Sequence, residues 1–149
     1  MIEKADKRFV LGVETAAFHA TLNPGQTSHH TIGEIIVFDS VLLNLGGAYD
    51  ATTGVFTCPM DRVYIFSTSI MSASSTQQNL VHVDIMKNGA EIAAAYASGG
   101  SSEQEQGSVS AAVQLVRGDT VWVGYQRHAD GHVWGDRLTS FMGVLVTPL

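Results

Sequence analysis

Two runs of β-forming residues meet at Asn88-Gly89, and this pair constrains the fold more than any other feature of the chain. Asn and Gly both tolerate the positive φ that a two-residue type I′ hairpin turn demands. In the run before it, Val81, Val83 and Ile85 alternate with Leu80, His82, Asp84 and Met86, so one face is apolar and the other mixed. Val121, Val123 and Tyr125 alternate in the same way with Thr120, Trp122 and Gly124, after a second tight turn at Arg117-Gly118-Asp119. Strands are expected at about residues 16–21, 35–43, 54–58, 63–71, 80–87, 90–96, 109–116, 120–126 and 141–146. Clusters of Gly, Asn, Asp and Ser separate them, and no amphipathic stretch exceeds about two helical turns. Nine or ten short strands in 149 residues fit an all-β fold, a two-sheet antiparallel jelly-roll sandwich.

The length suits one domain, with residues 1–15 as a lead-in and 16–149 as the globular part. Only 15% of the residues are charged against 45% hydrophobic, a balance that fits a chain hiding part of its surface in an oligomer. A net charge of −6 and eight scattered Lys and Arg argue against nucleic acid, which needs clustered cations against phosphate. Residues 1–15 hold no apolar run of signal-peptide or membrane-spanning length, so no membrane insertion is expected. Cys58 is the single cysteine, which rules out an intrachain disulfide, and its setting in Val55-Phe56-Thr57-Cys58 reads as a small buried hydrophobe.

A larger pattern runs through the chain. The stretch Tyr49-Asp50-Ala51-Thr52-Thr53-Gly54-Val55-Phe56-Thr57-Cys58-Pro59, leading into Val63-Tyr64-Ile65-Phe66-Ser67, resembles the signature of the complement C1q globular domain. Ala17-Phe18-His19-Ala20, Phe38-Asp39 with Asn44, Lys87-Asn88-Gly89, Gly118-Asp119-Thr120-Val121-Trp122-Val123 and Ser140-Phe141-Met142-Gly143-Val144-Leu145 follow the same pattern in order. The resemblance covers roughly residues 17 to 149. It implies a ten-stranded jelly roll akin to tumour necrosis factor, assembled as a homotrimer, extracellular, and binding proteins, carbohydrates or microbial surfaces, often with Ca²⁺. The chain has no Gly-X-Y run and so is similar to stalkless invertebrate members. It departs from the pattern at Arg62, where the family usually has Gly, and an altered turn before Val63 is expected. Phe56, Tyr64, Phe66, Trp122 and Phe141 are expected in core and subunit packing, and Gly54 and Gly143 at a turn or close approach.

Ligand residues are sought in three polar gaps, 72–79, 98–107 and 127–139, because binding side chains concentrate on loops over a rigid scaffold. His128, Asp130, His132, Trp134 and Asp136 fall on even positions, which would put all five on one side of an extended segment. With Arg137 they offer acids for hydroxyls, imidazoles and an aromatic face for a sugar; a solvated Asp130-Gly131 turn is the competing reading. Glu103 and Glu105 are the candidate calcium ligands that the resemblance implies, hard oxygens that three chains would pool. The family's usual Asp is not evident there, where Ser98-Gly99-Gly100-Ser101 stands. His29-His30 reads as an exposed pair, His82 as a sheet-surface or interface residue, and His19 as a residue at the subunit interface.

The expected function is a trimeric recognition module of innate immunity. The alternatives are a structural head in an extracellular matrix and, as a minor one, a jelly-roll metal enzyme. Enzyme chemistry is disfavoured because no H-x-H pair with a following acid, no G-x-S-x-G elbow and no Cys–His pair is evident.

Overall fold

In the computed structural model the described residues are 15–26, 31–74, 79–100, 103–127 and 132–147. Ten strands follow in order: β1 (Ala17–Gln26), β2 (Ser40–Leu45), β3 (Tyr49–Asp50), β4 (Val55–Thr57), β5 (Arg62–Ser72), β6 (Asn79–Lys87), β7 (Ala90–Gly99), β8 (Gln106–Leu115), β9 (Thr120–Arg127) and β10 (Val133–Thr147). They form two five-stranded sheets, β2-β1-β10-β5-β8 (sheet A) and β3-β4-β9-β6-β7 (sheet B), antiparallel at every pairing. This is the jelly-roll sandwich that the alternation predicts.

The core lies between the sheets and follows from the period of two. Val81, Val83 and Ile85 from β6 and Val121, Val123 and Tyr125 from β9 are buried there. Sheet A supplies Phe18, Tyr64, Phe66 and Phe141. The ring of Phe18 stacks on Tyr49 at 4.5 Å and meets Phe141 edge-on at 4.9 Å. Phe56 meets Phe66 edge-on at 5.1 Å. Such pairs add about 0.5–1.5 kcal/mol each beyond area burial. Gly143 lies under this cluster: an added Cβ would sit 2.6 Å from the rings of both Phe18 and Phe66. Gly54, at a φ of 78°, closes the turn before β4 with Ile36 O only 2.6 Å from where a Cβ would stand. Cys58 is buried, its thiol donating to Met60 O at 2.9 Å.

Four expectations are corrected. The run at 35–43 is not one strand. Ile36 N donates to Val123 O in sheet B, whereas β2 begins at Ser40 in sheet A. The segment crosses between sheets while Ile36 and Phe38 drop into the core, so its apolar residues mimic a strand. The closing strand begins at Val133 rather than 141, because a charged segment pairs through its backbone with β1 and β5. β8 begins at Gln106, since Gly107 and Ser108 lack β propensity yet pair with Ile70 and Ser69. Trp122 is outside the core, half-buried on the outer face of sheet B opposite Met86. Arg62 opens β5 opposite Leu115, its guanidinium donating to Asp61 O at 2.7 Å.

Candidate functional site

The three polar gaps meet at one end of the sandwich. Ser72, ending β5, donates from its backbone N to Glu105 O at 2.8 Å, and its hydroxyl bridges Glu105 N and O at 3.0 and 3.1 Å. Ala73 N donates to His132 O at 2.9 Å. The buried amide of Asn79 accepts from His132 N at 2.8 Å and donates to the carbonyls of His132 and Ala73 at 2.7 and 2.8 Å. Gly99 fits against Ser72 with no room for a side chain: a Cβ would lie 2.6 Å from its Oγ. Backbone groups that leave the sheets here are therefore satisfied by side chains at the neighbouring strand ends, Ser72 and Asn79, as buried polar groups must be.

Of the candidate ligand residues, His132, Trp134, Asp136 and Arg137 are described; His128 and Asp130, like His29 and His30, lie outside the described residues. Val133 and Gly135 are buried while His132 and Trp134 are half-buried, so the last two share a face as the even spacing predicts. That geometry is interrupted at Asp136, whose φ is 62°. Residues 135–139 form an irregular bulge, because Trp134 pairs with Met71 but Ser140 already pairs with Ser69. The buried Thr139 closes it, donating from Oγ1 to Trp134 O at 2.6 Å and accepting from Met71 N at 3.1 Å. Gln106 Nε2 braces the same bulge at Leu138 O and Ser69 Oγ, both at 2.8 Å. Asp136 and Arg137 are left exposed on its crest. A carboxylate, a guanidinium and a half-exposed indole on a braced bulge can bind hydroxyls and cover an apolar sugar face.

Glu103 and Glu105 are both exposed. One carboxylate oxygen of Glu105 accepts from Ser98 N at 2.6 Å, which gives this residue a structural role in its loop. Among the described residues no three His, Cys, Asp or Glu side chains of one chain converge on a metal position. Ca²⁺ takes six to eight oxygens, backbone carbonyls and waters among them, and Glu103 and Glu105 supply two carboxylates toward such a set.

A cavity of about 650 Å³ opens at the far end, near Gly46, Cys58 and Arg117. It holds none of these candidates.

The C1q domain profile matches residues 17–146. The chain belongs to the C1q domain family. It is 32% identical over 133 residues to Caprin-2 of Danio rerio, covering 89% of this chain and 14% of that protein. It is 33% identical over 113 residues to complement C1q tumor necrosis factor-related protein 3 of Mus musculus, covering 74% and 44%. The chain thus spans less than half the length of either relative. The globular domain of zebrafish complement 1qA protein shares its fold with a TM-score of 0.70 at 20% identity, covering 90% of this chain and 99% of that one. Eiger TNF from S. frugiperda does so at 0.68 and 16%, covering 90% and 93%.

Within this C1q domain the signature from Tyr49 to Pro59 is architectural. Asp50 Oδ1 accepts from Thr52 N at 2.8 Å and Thr52 Oγ1 at 2.6 Å, which holds its carboxyl below the usual range. Tyr49 Oη donates to Phe38 O at 2.7 Å, and burial pushes its phenol well above its ordinary value. His82 and Tyr96 lie opposite each other on the outer face of sheet B, where His82 Nε2 sits 3.1 Å from Asp84 Oδ1. Asp84 is only 2% exposed, and burial, reinforced by Glu91 and opposed by His82, pushes its carboxyl up. Asn79, Thr139, Gln106 and Ser72, which brace the site, carry no sequence signal that separates them from other polar loop residues.

Proposed function

We propose that this chain is the head of an extracellular, homotrimeric recognition protein of innate immunity, non-enzymatic, presenting the braced bulge to carbohydrate or microbial-surface ligands. The observation that carries this reading is the outer face of sheet A. Two rows cross all five strands in register: Leu43, His19, Met142, Ser67, Ser110, and Leu45, Ala17, Val144, Ile65, Ala112. Leu43 is 42% exposed, Leu45 50%, Met142 37% and Val146 48%. A sheet face meant for water alternates polar side chains with its buried ones; here the outward positions of β2, β1 and β10 are mostly aliphatic. Contiguous apolar patches of this kind mark interfaces, and family membership supports a three-fold arrangement of copies.

Three heads place three bulges on one particle. A single sugar held at Trp134, Asp136 and Arg137 would bind weakly, at about 1 mM, and avidity over a multivalent surface supplies useful strength. Screening the purified chain on a glycan array and on whole bacteria tests this. Binding that falls at least tenfold in Arg137→Ala and Trp134→Ala, with the oligomer intact, supports the reading. A trimer that binds nothing in either screen favours a structural matrix head instead.

A further inference from the structure

We propose that His19 makes self-association of this chain reversible by mild acid: the assembly holds while the imidazole is neutral and separates when it is protonated. The inference rests on the outer face of sheet A being the surface through which copies meet.

His19 stands within that face, one strand in from its β2 edge. β1 lies between β2 and β10, and in register His19 has Leu43 on one side and Met142 on the other. The rest of the sheet is nearly without charge. β2 and β8 contain no ionisable residue, β5 contains only Arg62 and Tyr64, β10 only Asp136 and Arg137, and β1 only His19. None of these others reaches the imidazole. Tyr64 is buried on the core side. Arg62 pairs with Leu115, five positions along β5 from the Ser67 that is level with Met142. Asp136 pairs with Leu22, three positions along β1 from His19, or about 10 Å at the rise of a strand. Arg137 follows it on the same bulge. Asp39, just before β2, is bonded to Asn23 still farther along. No described residue forms a hydrogen bond or ion pair with the ring.

A neutral imidazole can be covered by another copy at modest cost. An imidazolium there would be a buried charge without a partner, which protein interiors do not tolerate, and symmetric assembly would repeat it in every copy. Histidine is also the side chain that changes charge between pH 5 and 8. His82 makes the contrast, because its ring lies on sheet B with Asp84 Oδ1 3.1 Å from its Nε2. If each of three copies takes up one proton on separating, the association constant falls by up to about a thousandfold per pH unit, a decade for each imidazole.

Sedimentation velocity of the full chain at pH 7.4 and pH 5.0, with circular dichroism to check folding, tests the proposal. The wild type is expected to be a trimer at pH 7.4, to separate reversibly at pH 5.0 while folded, and to reassemble on neutralisation. His19→Gln is expected to stay assembled at both pH values, and His82→Gln to behave as the wild type. A wild-type trimer that persists at pH 5.0, or a His19→Gln variant that separates with the wild type, overturns the proposal. Should His19→Gln not assemble, the slope of the wild-type association constant against pH decides: proton uptake approaching three per trimer supports it and a flat profile overturns it. A wild-type monomer at pH 7.4 instead overturns the self-association reading on which the proposal rests.

Discussion

Asn79 holds His132 as a β-strand neighbour would, its side-chain Oδ1 accepting from the backbone N of His132 at 2.8 Å and its Nδ2 donating to the carbonyl of the same residue at 2.7 Å. A third bond, to Ala73 O, ties the end of β5 to the same amide. One buried side chain thus sets where β10 begins and aims the residues that follow it.

Asn79→Ala is expected to lower the unfolding free energy by about 2–3 kcal/mol, because it orphans buried backbone groups as well as removing bonds. Urea denaturation measures the loss, and amide exchange at His132 should accelerate more than exchange in the sheet interiors. A change below about 0.5 kcal/mol would show that water replaces the amide.

The carboxyls give stability two opposite dependences on pH. Asp50 and Asp119 are held below their ordinary values, Asp119 by Asn88 Nδ2 at 2.9 Å and by Val116 N at 2.9 Å. Their contribution is complete above the unfolded carboxylate value of about 4 and is lost as pH falls through the lower folded values. Asp84 is raised, so the folded state favours its protonated form and ionisation weakens the fold as pH rises through the raised value. Urea midpoints from pH 3 to 8 should show Asp119→Asn flattening the acid limb. Asp84→Asn should raise the midpoint at neutral pH and lose that advantage in acid. An Asp84→Asn variant less stable at pH 7 would mean that its contact with His82 outweighs desolvation.

Calcium, if several chains pool Glu103 and Glu105, stabilises the native assembly by mass action, about 2.7 kcal/mol at a hundredfold excess over the dissociation constant. Adding the ion should then raise the Tm, and Glu103→Gln with Glu105→Gln should remove the rise. A chelator without effect on wild-type melting would count against the site.

Much of the fold is legible in residues whose environment is set by strand period. Val81, Val83 and Ile85 announce a buried face, and Asn88, at a φ of 50°, announces its turn. The start of β10 is not legible, because Val133 to Thr139 is held by hydrogen bonds from Asn79 and Gln106 and by the Thr139 hydroxyl rather than by apolar alternation. Long-range side-chain bonds leave no periodic trace. For the same reason the even spacing from His128 to Asp136 suggests one face, yet the left-handed backbone at Asp136 turns the chain away. The convergence of the three polar loops follows from topology, and residue type alone identifies them as loops without showing that they meet.

The central claim is that the largely aliphatic outer face of sheet A joins copies of this chain, and the solution mass tests it most directly. Light scattering at neutral pH and micromolar concentration should give three times the 15.9 kDa chain mass for the wild type. Met142→Glu, which sets a carboxylate beside His19 and Leu43 in the middle of that face, should give the mass of one chain with an unchanged far-ultraviolet spectrum. A wild type that runs as a monomer, or a Met142→Glu variant that remains a trimer, would contradict the account.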